Sequence, residues 1–157
     1  MTNELPTMTL KAIGVVHNKV KQMPPGRHDW FVEIISEIII DSSLTEALDG
    51  LEAFSHIIVL YWIHRLVSGE LPIKHHPQSR EELPLTGLFA TRNPNRPNRI
   101  GKTTVRLLQR QGNTLRVKGL DALDGTPVID IKPYIPGYDS VDDAEFPQWT
   151  TKLYPWI

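Results

Sequence analysis

Residues 89–101 read F-A-T-R-N-P-N-R-P-N-R-I-G and place three arginines, three asparagines and two prolines in thirteen positions. Pro94 and Pro97 stiffen the segment and remove two backbone donors. Arg92, Arg96 and Arg99 therefore present planar guanidinium forks on a chain with little freedom. Such forks suit phosphate, carboxylate or base edges. The structural alternative is that they bond carbonyls of their own loop. Composition leaves both readings open.

A second stretch, residues 119–134, reads G-L-D-A-L-D-G-T-P-V-I-D-I-K-P-Y. Asp121 and Asp124 flank a turn, where two carboxylates can accept from ribose hydroxyls or an amine. They can equally cap their own backbone. Asp130 and Lys132 share a strand face and can simply pair. Among the histidines, His56 and His64 lie eight apart on one expected strand. Eight strand residues span about 26 Å, so the two cannot share a metal unless something bridges them. His64 beside Arg65 sits at a strand end, a cleft position. His75 and His76 form a loop pair with no clear third ligand, so no metal is expected. There is no cysteine and no G-x-S-x-G elbow, and residue order supports no Ser-His-Asp arrangement. Covalent hydrolase chemistry has no support.

Bulk composition bounds the rest. The chain has 157 residues, enough for one domain with a sizeable core, and a net charge of −1. That balance hides a segregation. Residues 83–120 hold eight basic side chains and no acid, while residues 121–145 hold seven acids against Lys132 alone. A basic stretch of this kind points to an anionic partner, phosphates being the commonest, or to a solvated strand face. The absence of cysteine fits a reducing compartment. Residues 1–14 lack a signal-peptide pattern, and the longest apolar run, residues 57–63, is too short to cross a bilayer. A cytoplasmic protein with no membrane contact is expected.

The elements that must position these residues read as strands. Residues 10–17, 31–40, 55–66, 85–91, 103–108, 114–120 and 126–131 are apolar and rich in β-branched side chains. The strand over 55–66 is expected to be central and buried on both faces. Residues 41–48 carry a capping-box pattern and predict one short helix. Gln111-Gly112-Asn113 and Asp124-Gly125 mark turns. Strands do not alternate with helices, and no dinucleotide fingerprint or P-loop is present, so an all-β barrel or sandwich is the natural inference.

Three segments together resemble a known family. Residues 50–64 (G-L-E-A-F-S-H-I-I-V-L-Y-W-I-H), 87–101 and 119–134 are similar to the TrmO family, also called TsaA-like or YaeB-like proteins, and the likeness runs from about residue 13 to 136. The resemblance implies an all-β fold, a single-sheeted antiparallel β-barrel of about seven strands with one or two short helices. The barrel domain would cover residues 8–138, with a tail over 139–157 packing on the barrel or on a dimer partner. It implies a homodimer that binds S-adenosyl-L-methionine and methylates the N(6) nitrogen of threonylcarbamoyladenosine in tRNA, next to the anticodon.

Position by position, it implies a cofactor pocket of Pro25, Gly26, Arg27, His64, Arg65, Arg92, Lys102 and the turn Asp121, Ala122, Leu123 and Asp124. The family's P-R-Q stretch is P-G-R here, and its P-N-P-I-G is P-N-R-I-G, so Arg99 and Lys102 add positive charge near the expected substrate mouth. Arg96, Arg99 and Arg106, with Lys102, are expected to grip RNA phosphates. Asp124, Asp130 and Tyr134 are the candidates for a catalytic base. The alternatives are a non-catalytic RNA-binding barrel, a methyltransferase with another acceptor, and a metal hydrolase using His75 and His76.

Overall fold

The computed structural model describes residues 4–26, 28–66 and 69–155. Eight strands form: β1 (Gly14–His17), β2 (Ile35–Ile40), β3 (His56–Trp62), β4 (Lys74–His75), β5 (Thr86–Gly87), β6 (Ile100–Gln111), β7 (Thr114–Lys118) and β8 (Pro127–Pro133). Six of them close an antiparallel barrel in the order β1-β2-β7-β6-β3-β8, and β4 and β5 form a separate two-residue ribbon. The chain is thus mostly β, as the sequence implies, with six barrel strands.

Alternation drives the closure. In β2 every second residue, Ser36, Ile38 and Ile40, is buried while its neighbours are exposed. Val16, Ile57, Val59, Val105, Leu115, Val117 and Val128 meet these inside the barrel, each no more than 1% exposed. Burying such a side chain contributes about 1.5–3 kcal/mol. β3 also buries Ile58 on its other face, in line with its uniformly apolar sequence.

Three expected elements change. Residues 85–91 do not form a barrel strand. Both edges of β3 are already taken by β6 and β8, so that segment finds only β4 as partner. It then turns through a 3-10 segment at Leu88–Ala90. β6 begins at Ile100, inside the arginine segment, earlier than expected. The helix after β2 is a 3-10 helix, Ser42–Leu48, and its cap is Asp41, whose Oδ1 accepts from Ser43 N–H at 2.9 Å.

Antiparallel order decides which loops meet. Residues 18–34, 63–99 and 119–126 all emerge at one end of the barrel, which we call the mouth. Residues 41–55, the 112–113 hairpin and the chain beyond β8 emerge at the other end. After β8 the chain makes one α-helical turn, α1 (Pro136–Asp139). Further along, Leu153 is buried, and the Arg80 guanidinium donates to the Lys152 carbonyl at 3.0 Å.

Candidate functional site

Three loops at the mouth are laced together by Asn18, Asp124 and Arg65. The Asn18 amide donates to the Ser36 hydroxyl at 3.0 Å and the Ala122 carbonyl at 2.9 Å, and its oxygen accepts from Val20 N–H. Asp124 accepts from Asn18 N–H at 3.0 Å and pairs with the Lys21 ammonium, with His17 Nδ1 at 3.4 Å. Arg65 donates to the Lys21 carbonyl at 2.6 Å. Gly125, at φ +81°, lets the turn pass beneath His64 and Arg65. Nothing in the sequence marked Asn18. A lone asparagine after a strand is ordinary, and its role appears only when residues more than a hundred positions apart meet.

The lacing changes the reading of Asp124. Hydrogen bonds from Lys21 and Asn18 hold its carboxyl down at about 2, against an ordinary 3.8. It is a loop anchor, already saturated with donors, and a poor proton acceptor. Its contribution to stability is therefore fully present above about pH 4 and lost as pH falls through about 2. Asp124→Asn should lower the thermal midpoint at pH 7, and the gap between variant and wild type should close between pH 4 and pH 2. A constant gap across that window would refute the anchor.

The other acid of the turn behaves differently. Asp121 keeps an open face to solvent, yet the barrel end crowds its other side, and this desolvation pushes its carboxyl up to about 6. Water at the open face screens part of that effect. Tyr61 lies beside it, buried, with its hydroxyl 3.0 Å from Thr103 Oγ1. Burial, and then the charge of Asp121, push the Tyr61 phenol well above its ordinary range, while Thr103 and Arg92 pull it back. Burial likewise raises half-buried Tyr154, which feels both Arg92 and Asp121. Arg92, Asp121, Tyr61 and Tyr154 therefore share one neighbourhood, drawn from four separate parts of the chain.

Gly101 explains how Tyr61 gets there. The two are register partners in β6 and β3, and a Cβ on Gly101 would lie 2.3 Å from Tyr61 Cε2, far inside contact distance. A glycine within a strand is a signal that another group approaches closely. It was the available sequence clue to Tyr61, and it was missed. Gly101→Ala should destabilise the protein by about 1–3 kcal/mol through overpacking, read by denaturant titration. A neutral result would mean the ring has room to move.

The arginine segment divides its forks. Arg96 Nη1 donates to the carbonyls of Thr91 at 2.8 Å and Asn93 at 3.2 Å, and its guanidinium lies 5.6 Å from the Phe89 ring centroid. It is a loop staple, so the expectation of a phosphate grip is corrected for Arg96. Asn93 accepts from Asn95 N–H at 2.8 Å, and its amide reaches His75 Nε2 at 3.3 Å. His75 and His76 thus hold loops, with His76 Nδ1 at 2.7 Å from the Leu83 carbonyl. Among the described residues no group of three or more His, Asp or Glu side chains is placed to hold a metal ion. Arg92 is exposed and Arg99 half-buried.

The remaining expected positions separate cleanly. Pro25 and Gly26 are exposed in the loop before β2, and Arg27 lies outside the described residues. His64 sits at the mouth, 3.4 Å from Thr126 Oγ1, its basicity lowered by burial and then by Arg65. Ala122 is buried and Leu123 half-buried in the same turn as Asp121. Lys102 points from the outer face of β6 and bonds Thr104 at 3.0 Å. Asp130 and Tyr134 are corrected as base candidates. Asp130 lies outward on β8, paired with Lys132 at 2.9 Å. Tyr134 follows β8 and its N–H bonds the His56 carbonyl, at the end opposite the mouth. A groove of about 390 Å³ between Leu48, Phe54 and Ile131 also lies at that far end, away from Arg92 and Asp121.

The mouth carries a cation and an anion that do not neutralise each other: among the described residues neither Arg92 nor Asp121 has an ion-pair partner. A charge pair left open in this way suits a small ligand that carries both an anionic and a cationic group.

Fold and mouth together define a closed antiparallel β-barrel with a charge-lined binding end. The chain belongs to the TrmO family: residues 14–140 match its tRNA-methyltransferase O N-terminal domain. It is 42% identical over 139 residues to an S-adenosyl-L-methionine-binding protein of Archaeoglobus fulgidus, covering 88% of this chain and 97% of that one. A second A. fulgidus protein, named a probable S-adenosyl-L-methionine-binding protein, is 44% identical over 137 residues, 87% of this chain but 36% of its own length. A mouse tRNA (adenine(37)-N6)-methyltransferase is 46% identical over 95 residues, 60% of this chain and 22% of the relative. A crystal structure of TrmO superposes with a TM-score of 0.73 at 32% identity, over 90% of this chain and 64% of that one. The chain thus spans only part of several of these proteins.

Proposed function

We propose that the protein is an S-adenosyl-L-methionine-dependent methyltransferase acting on an adenine N(6) nitrogen in tRNA, and that the acceptor is threonylcarbamoyladenosine next to the anticodon. The observation that carries this reading is the unpaired Arg92 and Asp121 at one mouth beside buried Tyr61. The names of the relatives support the cofactor and the tRNA class.

S-adenosyl-L-methionine supplies a methyl group already activated on a sulfonium. Transfer forms an N–C bond, breaks an S–C bond and leaves one N–H proton to be removed. The main task of the chain is alignment, and holding two reactants in line is worth about 7–11 kcal/mol. Arg92 orients the cofactor by its carboxylate. Asp121 is the acid whose carboxyl sits near neutrality at the mouth, so it is placed to take the proton. Asp124 holds the turn that presents it.

Calorimetry with S-adenosyl-L-methionine tests the first half. Heat and a thermal shift are expected, and their absence would leave at most an RNA-binding barrel. Mass spectrometry of nucleosides from tRNA incubated with enzyme and cofactor tests the second half. A methylated threonylcarbamoyladenosine is expected, and unchanged tRNA with a bound cofactor would point to another acceptor. We further propose a barrel domain over residues 8–138 with a tail over 139–157, a cytoplasmic location and a homodimer. Among the described residues no helix is long and apolar enough to cross a membrane. The exposed apolar residues Ile73, Leu85 and Phe89 near the β4–β5 ribbon support a self-association that light scattering would detect.

A further inference from the structure

The eight basic side chains of residues 83–120 are not equivalent once folded. Arg96 staples its own loop, as described. Arg110 is held by Asp49 at 2.8 Å, by Glu52 at 3.3 Å and by the Thr45 carbonyl, with its side chain only 14% exposed. Lys118 is paired with Glu33 at 2.6 Å. Arg92 stands at the mouth and Arg99 just before β6. The remaining three, Lys102, Arg106 and Arg116, are exposed, and among the described residues none of them has an ion-pair partner.

Register shows that they share one wall. Lys102 and Arg106 alternate with buried Gly101 and Val105 along β6, so both point outward. Arg106 faces Lys118 directly across the β6–β7 pairing, and Arg116 lies two residues from Lys118 on the same face. Like charges set opposite each other on a sheet are unfavourable. Glu33 relieves that repulsion for Lys118 alone. On the neighbouring strand the one acid in register with Arg116 is Glu37, which also faces His17. Lys102 is the member nearest the mouth, one strand from Leu60, two residues before Trp62. Lys102 and Arg106 span about 13 Å along β6, since they lie four strand residues apart, and Arg116 widens the strip onto β7.

We propose that this strip on the outer wall of β6 and β7 is the track for the sugar–phosphate backbone of the RNA, leading from the mouth down the side of the barrel. The proposal rests on the reading of the protein as a tRNA methyltransferase. It replaces the picture of a loop gripping phosphates, because one fork of that loop is already bonded to carbonyls. An RNA strand laid there neutralises cations that otherwise repel one another, and base recognition stays with the mouth.

The test compares Arg106→Gln/Arg116→Gln with Lys11→Gln/Lys132→Gln, which removes two cations from the strand-β8 side of the barrel and the chain before β1. Binding of unmodified tRNA is measured against salt, and cofactor binding by calorimetry in parallel. Each phosphate contact contributes about 0.7–0.9 to the slope of log affinity against log salt. The first variant should lose about 1.4–1.8 of slope and keep wild-type cofactor affinity. The second should keep the wild-type slope. Equal slopes in both variants, with wild type still binding tRNA and cofactor, would overturn the track alone. A wild-type protein that binds cofactor but no tRNA would overturn the acceptor reading and the track with it.

Discussion

Replacing Arg92 with alanine is expected to weaken S-adenosyl-L-methionine binding by about 10- to 150-fold without moving the thermal midpoint. Hydrogen bonds to a charged group contribute about 1.5–3 kcal/mol, and each 1.4 kcal/mol is tenfold in affinity. Arg92 is exposed and among the described residues makes no hydrogen bond or ion pair, so its removal leaves packing intact. Arg110→Ala makes the contrast. Its fork ties the helix after β2 to the β6–β7 hairpin through Asp49, Glu52 and the Gly112 carbonyl. That variant should lose thermal stability and keep cofactor affinity. Calorimetry and thermal unfolding on both variants decide the matter: equal losses of affinity would dissolve the assignment of Arg92 to the pocket.

Asp121→Asn is expected to lower kcat by about 10²–10⁴-fold, the usual contribution of a positioned proton acceptor. The sign of the pH dependence follows from its raised carboxyl. A base must be ionised, so the wild-type rate should climb about tenfold per unit below pH 6 and level off above it. The asparagine variant should be slow and flat across that range. A variant that binds cofactor weakly but turns over at the wild-type rate when saturated would make Asp121 a cofactor ligand only. Single-turnover rates at saturating cofactor, from pH 5 to pH 8, separate the two outcomes.

Much of the fold was legible because closure leaves a simple signature. Apolar alternation in β2 and the continuous apolar run of β3 are local properties that reveal buried faces. The segment 85–91 misled because its composition is strand-like while its pairing depends on which edges remain open. That is a property of the whole barrel. The site followed the same division. The arginines and the two acids of the D-x-x-D turn stood out as types and spacings. Their roles did not, because role depends on neighbours: Lys21 and Asn18 turn Asp124 into an anchor, crowding makes Asp121 basic, and the Thr91 and Asn93 carbonyls occupy Arg96. Asn18 was invisible for the same reason, and Tyr61 was signalled only indirectly, by the glycine at position 101 within a strand.

Barrel closure has one more consequence. Each of the six barrel strands is hydrogen-bonded along both edges, whereas β4 and β5 pair only with each other through two residues apiece. The segment bearing Arg92 is held instead by buried Leu83 and Leu88 and by the Arg80 bond to the Lys152 carbonyl, and it contributes no barrel pairing. Sequence changes in the 69–99 segment therefore leave the hydrogen-bonded ladders of the barrel untouched, because local stability differs between cooperative units.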